Sequence, residues 1–223
     1  MSIQQNHHKP DHPKMEPSLL ITGFEPFDGR SFNSSWEAVC RLKLKNALLE
    51  RLPVVWDEPT RRIKELFEEF KPHTILSLGE GHEGWFDIET IARNRRASRT
   101  DERGSLPRVG FNCASGAPSL KITTEVEKLH KHLLSKGYPV RISSDAGNFI
   151  CEETLYCIES LLRENRETLK RVLFIHLPPF ETELEINEKS TSVDKKFLES
   201  FASGLLRYLD SEILIPNRSQ ENF

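Results

Sequence analysis

The sequence has few of the features that mark secreted, membrane-spanning or metal-binding proteins. Its cysteines are Cys40, Cys113, Cys151 and Cys157. No two of them form a Cys-x-x-Cys pair, which argues against a disulfide framework or a zinc site and favours reduced thiols. No apolar run approaches the roughly 20 residues that a membrane-spanning helix needs, and the polar first residues do not resemble a signal peptide. We therefore expect a cytoplasmic protein without a metal site.

A strong excess of charge of one sign is also missing. The 223 residues include 31 Lys and Arg and 34 Asp and Glu, which gives a formal net charge of -3. This near balance provides no general attraction to nucleic acid or to an anionic membrane surface. An arginine-rich stretch at 95–118 lacks periodicity and has Phe111 as its one aromatic residue, so it is poorly suited to stack nucleotide bases. We predict a loop there, either a functional lid or disordered, and no nucleic-acid or membrane partner.

Short apolar strands alternate with amphipathic helices along the chain. We predict strands at 19–23, 53–56, 74–79, 86–89, 139–144 and 171–177, and helices from 34 or 35 to 42 and at 59–70, 123–136, 150–164 and 191–209. This alternation predicts an α/β protein, a three-layer α/β/α sandwich with a mostly parallel central sheet. Residues 1–17 are predicted to be a disordered tail and 216–223 a C-terminal tail. The intervening residues 18–215 have the length and apolar content of one domain.

A candidate nucleophile, Cys151, lies where a predicted strand and a tight turn lead into a helix. The helix N-terminus lowers the pKa of a thiol, and its free N–H groups can hold an oxyanion. His176, near the end of another strand, is a candidate base, and Glu89 ends a third strand. Together they form a candidate catalytic triad. Each also has a structural alternative: a small core residue for the cysteine, a hydrogen-bonded strand-end residue for the histidine, and a surface carboxylate for the glutamate.

Six short segments resemble the ordered motifs of type I pyroglutamyl peptidases, also called pyrrolidone-carboxylate peptidases. They are Gly23-Phe24-Glu25-Pro26-Phe27-Asp28-Gly29, Asn33-Ser34-Ser35-Trp36-Glu37, Leu78-Gly79-Glu80-Gly81, Glu89-Thr90-Ile91-Ala92-Arg93-Asn94, Ser144-Asp145-Ala146-Gly147-Asn148-Phe149-Ile150-Cys151 and Phe174-Ile175-His176-Leu177-Pro178. One such segment is weak evidence, but six in this order are specific. The resemblance implies removal of N-terminal 5-oxoproline from peptides by a cysteine peptidase that needs no cofactor. It also implies an α/β/α fold and a homo-oligomer, a dimer or a tetramer.

The resemblance assigns roles to individual residues. It makes Cys151 the nucleophile, His176 the base and Glu89 the acidic third member of the triad. Five residues are implied to contact or surround the substrate: Phe24, Phe27, Asn33, Glu80 and Arg99. The two phenylalanines would enclose the flat lactam ring. Asn33 would hold either its own loop or the substrate, and Arg99 would lie near the oxyanion. The alternatives are core packing for the aromatic rings and a solvated loop charge for Arg99.

This sequence departs from the family pattern around the substrate. Asp28 replaces a usual glycine, Ser34 a proline and Glu80 a common glutamine, and the loop that follows Glu89 is more basic. Extra charge beside the pocket would weaken the binding of a neutral lactam. Three hypotheses therefore remain open: a pyroglutamyl-specific exopeptidase, a cysteine hydrolase of the same fold that acts on another small amide or acyl group, and a catalytically silent peptide-binding homologue.

Overall fold

The computed structural model describes residues 18–214. The strands are β1 Leu19–Phe24, β2 Ala47–Leu52, β3 Thr74–Glu80, β4 Phe86–Glu89, β5 Ile91–Arg93, β6 Ser119–Lys121, β7 Val140–Ser143, β8 Arg171–Leu177, β9 Glu183–Ile186 and β10 Lys189–Ser192. The helices are α1 Ser34–Val39, α2 Glu58–Phe70, α3 Glu127–Ser135, α4 Ile150–Glu164 and α5 Lys195–Leu214. The tails predicted at 1–17 and 216–223 lie outside the described residues.

Six strands form the central sheet, in the order β2-β1-β3-β8-β4-β7. Neighbouring strands are parallel except β4 and β8, which are antiparallel. Along β8, Val172 and Phe174 pack on one face while Leu173 and Ile175 pack on the other. This alternation arises because successive strand side chains point to opposite faces, and it buries both faces of the central strands.

The two faces are covered by different helices. Side chains of α2 and α4 pack on one face, and side chains of α1, α3 and α5 pack on the other. This arrangement confirms the predicted three-layer sandwich with a mostly parallel sheet. Within residues 18–214, no helix is both long enough and apolar enough to cross a membrane.

The strand predicted at 53–56 is wrong. Strand β2 ends at Leu52, which pairs with Phe24, the last residue of β1. Residues after Leu52 have no neighbouring strand to continue the ladder, and Pro53 has no N–H to donate. The chain turns instead and enters α2 after Asp57, whose φ is 67°.

The start of the last helix was also predicted wrongly. Residues 183–192 form an antiparallel hairpin, β9 and β10, and α5 begins only at Lys195. The turn residues Asn187 and Glu188 both have positive φ, 50° and 61°. A two-residue turn of this kind usually carries glycine at its second position. Because Glu188 occupies that position here, the sequence does not indicate a hairpin.

Gly23 is required where α1 crosses β1. A Cβ atom at this position would lie 2.8 Å from the Ser35 carbonyl carbon and 2.9 Å from the Trp36 Cα. Because these are backbone atoms, the helix would have to move away from the sheet. The glycine therefore sets the separation between α1 and the strand.

We predict that Gly23→Ala lowers the free energy of unfolding by about 1–3 kcal/mol, the usual cost of overpacking. Urea denaturation measures this change. Gly204→Ala is the control, since no atom lies within 4 Å of its Cβ position inside α5, and a helical alanine stabilises by up to about 1 kcal/mol. Equal midpoints for Gly23→Ala and the parent would contradict this account.

Candidate active site

A cavity of about 400 Å³ opens where β1, β3 and β8 end. Its lining contains all the residues predicted for the site except Glu89. The lining residues are Phe24, Phe27, Asn33, Val54, Glu80, Gly81, His82, Arg99, Asp145, Ala146, Gly147, Phe149, Ile150, Cys151 and His176. They come from six separate parts of the chain, which the sheet and the start of α4 bring together.

Cys151 is the second residue of α4 and is half-buried. The chain reaches it from β7 through a turn in which the Asp145 carboxylate accepts a hydrogen bond from Gly147 N at 3.1 Å. Gly147 has a φ of 84°, a conformation that favours glycine. The first N–H groups of a helix have no partner within the helix. The thiol therefore lies beside backbone donors that can bind an oxyanion.

Glu89 lies behind the cavity and contacts His176. Its Oε1 atom is 2.8 Å from His176 Nδ1, and both side chains are almost fully buried. Strands β4 and β8 pair in antiparallel register, with Ile88 opposite Ile175. Both isoleucines pack on the face covered by α5. Since side chains alternate along a strand, Glu89 and His176 both point to the face covered by α4.

His176 and Cys151 line the same cavity, and among the groups that raise the pKa of His176 the largest effect comes from Cys151. Burial alone would lower the pKa of His176. The charge of a Cys151 thiolate, its hydrogen bond and the Glu89 carboxylate together outweigh burial and raise that pKa well above its ordinary value. A cysteine that shares a cavity with an imidazole base has the arrangement that nucleophilic catalysis by a thiol needs.

Two glycines leave space for the imidazole ring. A Cβ atom at Gly79 would lie 2.8 Å from His176 Cδ2, and one at Gly81 would lie 2.7 Å from His176 Cβ. Any larger residue at either position would push the ring from its place between Cys151 and Glu89. The His176 ring thus explains, on steric grounds, why the Leu78-Gly79-Glu80-Gly81 motif has glycine at positions 79 and 81.

The two phenylalanines differ in their surroundings. Phe24 is the last residue of β1 and is almost fully buried, while Phe27 is partly exposed in the following loop. Both line the cavity, and both also pack against the core cluster beneath α4. They therefore belong to the core and to the cavity wall at once.

Asn33 holds its own loop. Its side-chain oxygen accepts hydrogen bonds from Ser35 N at 3.0 Å and Ser35 Oγ at 2.7 Å, which caps α1. Its amide nitrogen donates to the Glu25 carbonyl at 3.0 Å. Of the two roles implied for this residue, these bonds favour the structural one.

Glu80 is buried and is held by charged and polar donors. One carboxylate oxygen binds the Arg30 guanidinium. The other accepts from Ser34 N at 2.8 Å and Ser34 Oγ at 3.0 Å. A proline at position 34 has no N–H to donate. Two departures from the family pattern, Ser34 and Glu80, are therefore partners in one hydrogen-bonded cluster.

Arg99 reaches the cavity from the arginine-rich loop. Its guanidinium binds the Asp28 carboxylate at 2.7 Å and lies 4.3 Å from the centre of the Phe149 ring. Its carbonyl oxygen accepts from the indole N–H of Trp56 at 3.0 Å. Asp28, another departure from the family pattern, is thus the partner of Arg99, and the two charges balance at the cavity mouth.

Other arginines of this loop also bind acidic residues of the chain. Arg96 is almost fully buried and binds Asp57 at 2.6 Å, Arg95 contacts Asp145 at 3.4 Å, and Arg103 binds Glu58. These pairs connect the loop to the starts of α2 and α4. These arginines are therefore paired with acidic residues of the same chain.

A family model described as pyroglutamyl peptidase matches residues 17–204. The chain belongs to this family. This finding confirms the resemblance drawn from the six sequence motifs. Residues of four of the six segments line the cavity together with His176 from a fifth, and Glu89 of the remaining segment contacts His176.

Individual relatives agree with the family assignment. The pyrrolidone-carboxylate peptidase of Gloeobacter violaceus is 34% identical over 168 residues, which cover 72% of this chain and 80% of that protein. Its counterpart in Bacillus velezensis is 30% identical over 189 residues, or 81% of this chain and 87% of that protein. The solved structure of pyrrolidone carboxyl peptidase from Thermococcus litoralis superposes with a TM-score of 0.69 at 28% identity, covering 87% and 95% of the two chains.

Among the described residues, no group of three or more His, Cys, Asp or Glu side chains is arranged to hold a metal ion. Glu152, which follows the candidate nucleophile Cys151, was not identified from the sequence as a residue of interest, because glutamate is common within helices.

This residue, Glu152, is fully buried. Its Oε1 atom accepts from Arg93 N at 2.6 Å, and its Oε2 atom has no hydrogen-bond partner within residues 18–214. Burial raises the pKa of Glu152 to about 7, against the opposing effects of the Arg93 N–H and the charges of Arg93 and Arg95. Asp145 adds a smaller upward contribution.

We predict that Glu152→Gln stabilises this pyroglutamyl peptidase family member at pH 8 but not at pH 4. As pH rises from 4.5 towards 7, the unfolded chain releases this proton while the folded chain keeps it, so the stability of the parent protein falls. The full difference, present above pH 7, is up to about 3 kcal/mol. Denaturant unfolding of both proteins between pH 4 and 8 measures it.

The control is Glu164→Gln, an exposed residue at the end of the same helix. It should leave the pH dependence of stability unchanged. A difference between Glu152→Gln and the parent that is constant from pH 4 to pH 8 would contradict the titration of Glu152.

Proposed function

We propose that this protein is a cysteine exopeptidase that hydrolyses the bond after an N-terminal pyroglutamyl residue, with Cys151 as nucleophile, His176 as base and Glu89 as the acidic third residue. The observation that carries the proposal is the buried 2.8 Å contact between His176 Nδ1 and Glu89, beside a cavity whose lining contains both His176 and Cys151. Family membership supports the same activity.

In the first step, the proton of the Cys151 thiol is transferred to His176. The thiolate attacks the carbonyl carbon of the pyroglutamyl residue, and N–H groups at the start of α4 stabilise the resulting oxyanion. His176 then donates its proton to the leaving amine, which frees the shortened peptide. A water molecule, deprotonated by His176, attacks the acyl-enzyme and releases 5-oxoproline. Throughout, Glu89 orients the imidazole and stabilises its charged form.

The cavity suits a small neutral lactam. Phe24 and Phe27 provide apolar surface for the ring carbons. The acidic groups near them are neutralised, because Glu80 binds Arg30 and Asp28 binds Arg99. The extra charges that favoured another small amide or acyl substrate are thus paired with each other. A pyroglutamyl residue therefore remains the substrate that we propose, and for Arg99 we propose a role near the oxyanion.

We also propose that residues 18–215 work as one domain, in a cytoplasmic homo-oligomer that takes peptide substrates. The state of the cysteines supports a reducing compartment, since Cys40, Cys113, Cys151 and Cys157 are all free thiols. The oligomer, a dimer or a tetramer, rests on the family resemblance. Sedimentation equilibrium tests it, and a monomer at micromolar concentration would contradict it.

We predict that Cys151→Ala abolishes release of a fluorophore from a pyroglutamyl amide, with a loss of more than about a thousandfold in kcat/KM. The reason is that alanine removes the atom that forms the acyl-enzyme. The assay uses reducing conditions, with prolyl and alanyl amides as substrate controls.

The matched control is Cys157→Ala, which removes the buried thiol on the same helix. Burial raises the pKa of Cys157 to about 12, so this thiol is inert. The variant should keep the activity of the parent on the pyroglutamyl amide. Turnover by Cys151→Ala, or release from the prolyl or alanyl amide at a comparable rate, would overturn the proposed function.

A further inference from the structure

The Phe27 ring, which forms part of the cavity wall, is in contact with the side chain of Arg30. Residues 27–30 form a tight turn in which Arg30 N donates to the Phe27 carbonyl at 3.2 Å. The two central residues, Asp28 and Gly29, have φ values of 53° and 72°. This turn brings the Arg30 side chain back over Phe27, with the guanidinium carbon 4.1 Å from the ring centre. Such an arrangement is a cation–π contact.

The guanidinium covers one face of the Phe27 ring. Phe27 lines the cavity and Arg30 does not. The ring therefore contacts the cation and still contributes to the cavity wall. Arg30 Nε also lies 3.4 Å from the Phe27 carbonyl, so both the ring and the backbone of Phe27 contact the same arginine.

Arg30 is in turn fixed by Glu80. The Glu80 side chain is 1% exposed, whereas the Arg30 side chain is 39% exposed. The buried carboxylate cannot move towards solvent without losing its bonds to Ser34 N and Ser34 Oγ. Glu80 is therefore a fixed anchor, and Arg30 connects this anchor at the end of β3 to the ring of Phe27.

A second connection holds the same turn from its other side. Asp28 binds Arg99 at 2.7 Å, and Asp28 N donates to Glu102 at 2.9 Å. These contacts act on the Asp28 backbone and carboxylate, and the ring of Phe27 takes no part in them. The ring is therefore held by its packing against the core cluster beneath α4 and by the contact with Arg30.

We propose that Arg30 and Glu80 are positioning residues for substrate recognition, which hold the Phe27 ring as a wall of the lactam site. This inference rests on the proposed function and extends it. Glu80 acts on the substrate through Arg30 and Phe27, and it contributes by fixing a ring. Neither residue takes part in the bond-breaking steps.

The test is steady-state cleavage of a pyroglutamyl amide by Arg30→Ala, with inhibition by 2-pyrrolidone measured in parallel. We expect KM and the inhibition constant of the lactam each to rise about tenfold, in line with the loss of a partly desolvated cation–π contact. We expect kcat to stay within about twofold, since the ring does not contact the reacting groups. Arg30→Lys keeps a cation beside both Phe27 and Glu80 and should recover part of the loss.

Two further variants separate positioning from general stability. In a Phe27→Leu background, Arg30→Ala should add little to the rise in KM, because the ring on which it acts is gone. Arg103→Ala is the matched control, since Arg103 also binds a glutamate, Glu58, but lies outside the cavity lining. It should leave KM and the inhibition constant unchanged.

The outcomes distinguish the two proposals. If the parent cleaves the pyroglutamyl amide and Arg30→Ala behaves like Arg103→Ala, lowers kcat alone, or is fully additive with Phe27→Leu, the positioning role is wrong. If the parent cleaves no pyroglutamyl amide, the proposed function fails and the inference fails with it. Circular dichroism and melting temperature show whether Arg30→Ala is folded, and Arg30→Gln replaces it if not.

Discussion

The hydrogen bond between Glu89 and His176, 2.8 Å long and buried, is the interaction on which the site depends. It forms where the direction of the sheet reverses: β4 and β7 run opposite to the other four strands, and β4 pairs directly with β8. The adjoining pair β4 and β7 is parallel, so the turn after β7 can lead Cys151 to the other side of the same imidazole. Strand direction at the β4 and β8 boundary thus determines whether a carboxylate, an imidazole and a thiol meet.

Around this centre, loops are held by ion pairs and hydrogen bonds to buried carboxylates. Asp101 accepts from Trp56 N at 3.2 Å and Arg103 N at 2.9 Å, and Glu153 accepts from Thr60 Oγ1 at 2.9 Å. Burying such groups is costly unless donors satisfy them. Here the donors come from the segment after β2, the first turn of α2 and the arginine-rich loop, so the same bonds that offset desolvation also hold these segments together.

Sequence reasoning identified most elements correctly because their apolar periodicity is strong, as in α2, α4 and β8. It failed where a tertiary partner decides the outcome. Pro53–Trp56 has the composition of a strand, yet β1 ends at Phe24 and provides no ladder for it. The hairpin at 183–192 is stabilised by a turn with positive φ at Asn187 and Glu188, and glutamate gives no local signal of that conformation.

For the site, the sequence by itself determined the family, the order of the six motifs and the residue types of a cysteine hydrolase. Cys151 at a helix start follows from local pattern alone. The partners of Glu80 and Asp28 were decided only by the tertiary structure, which brings Arg30 to Glu80 across 50 positions and Arg99 to Asp28 across 71. Periodicity and turn chemistry act over a few residues. Contacts over such separations depend on strand order and direction, which no local pattern specifies.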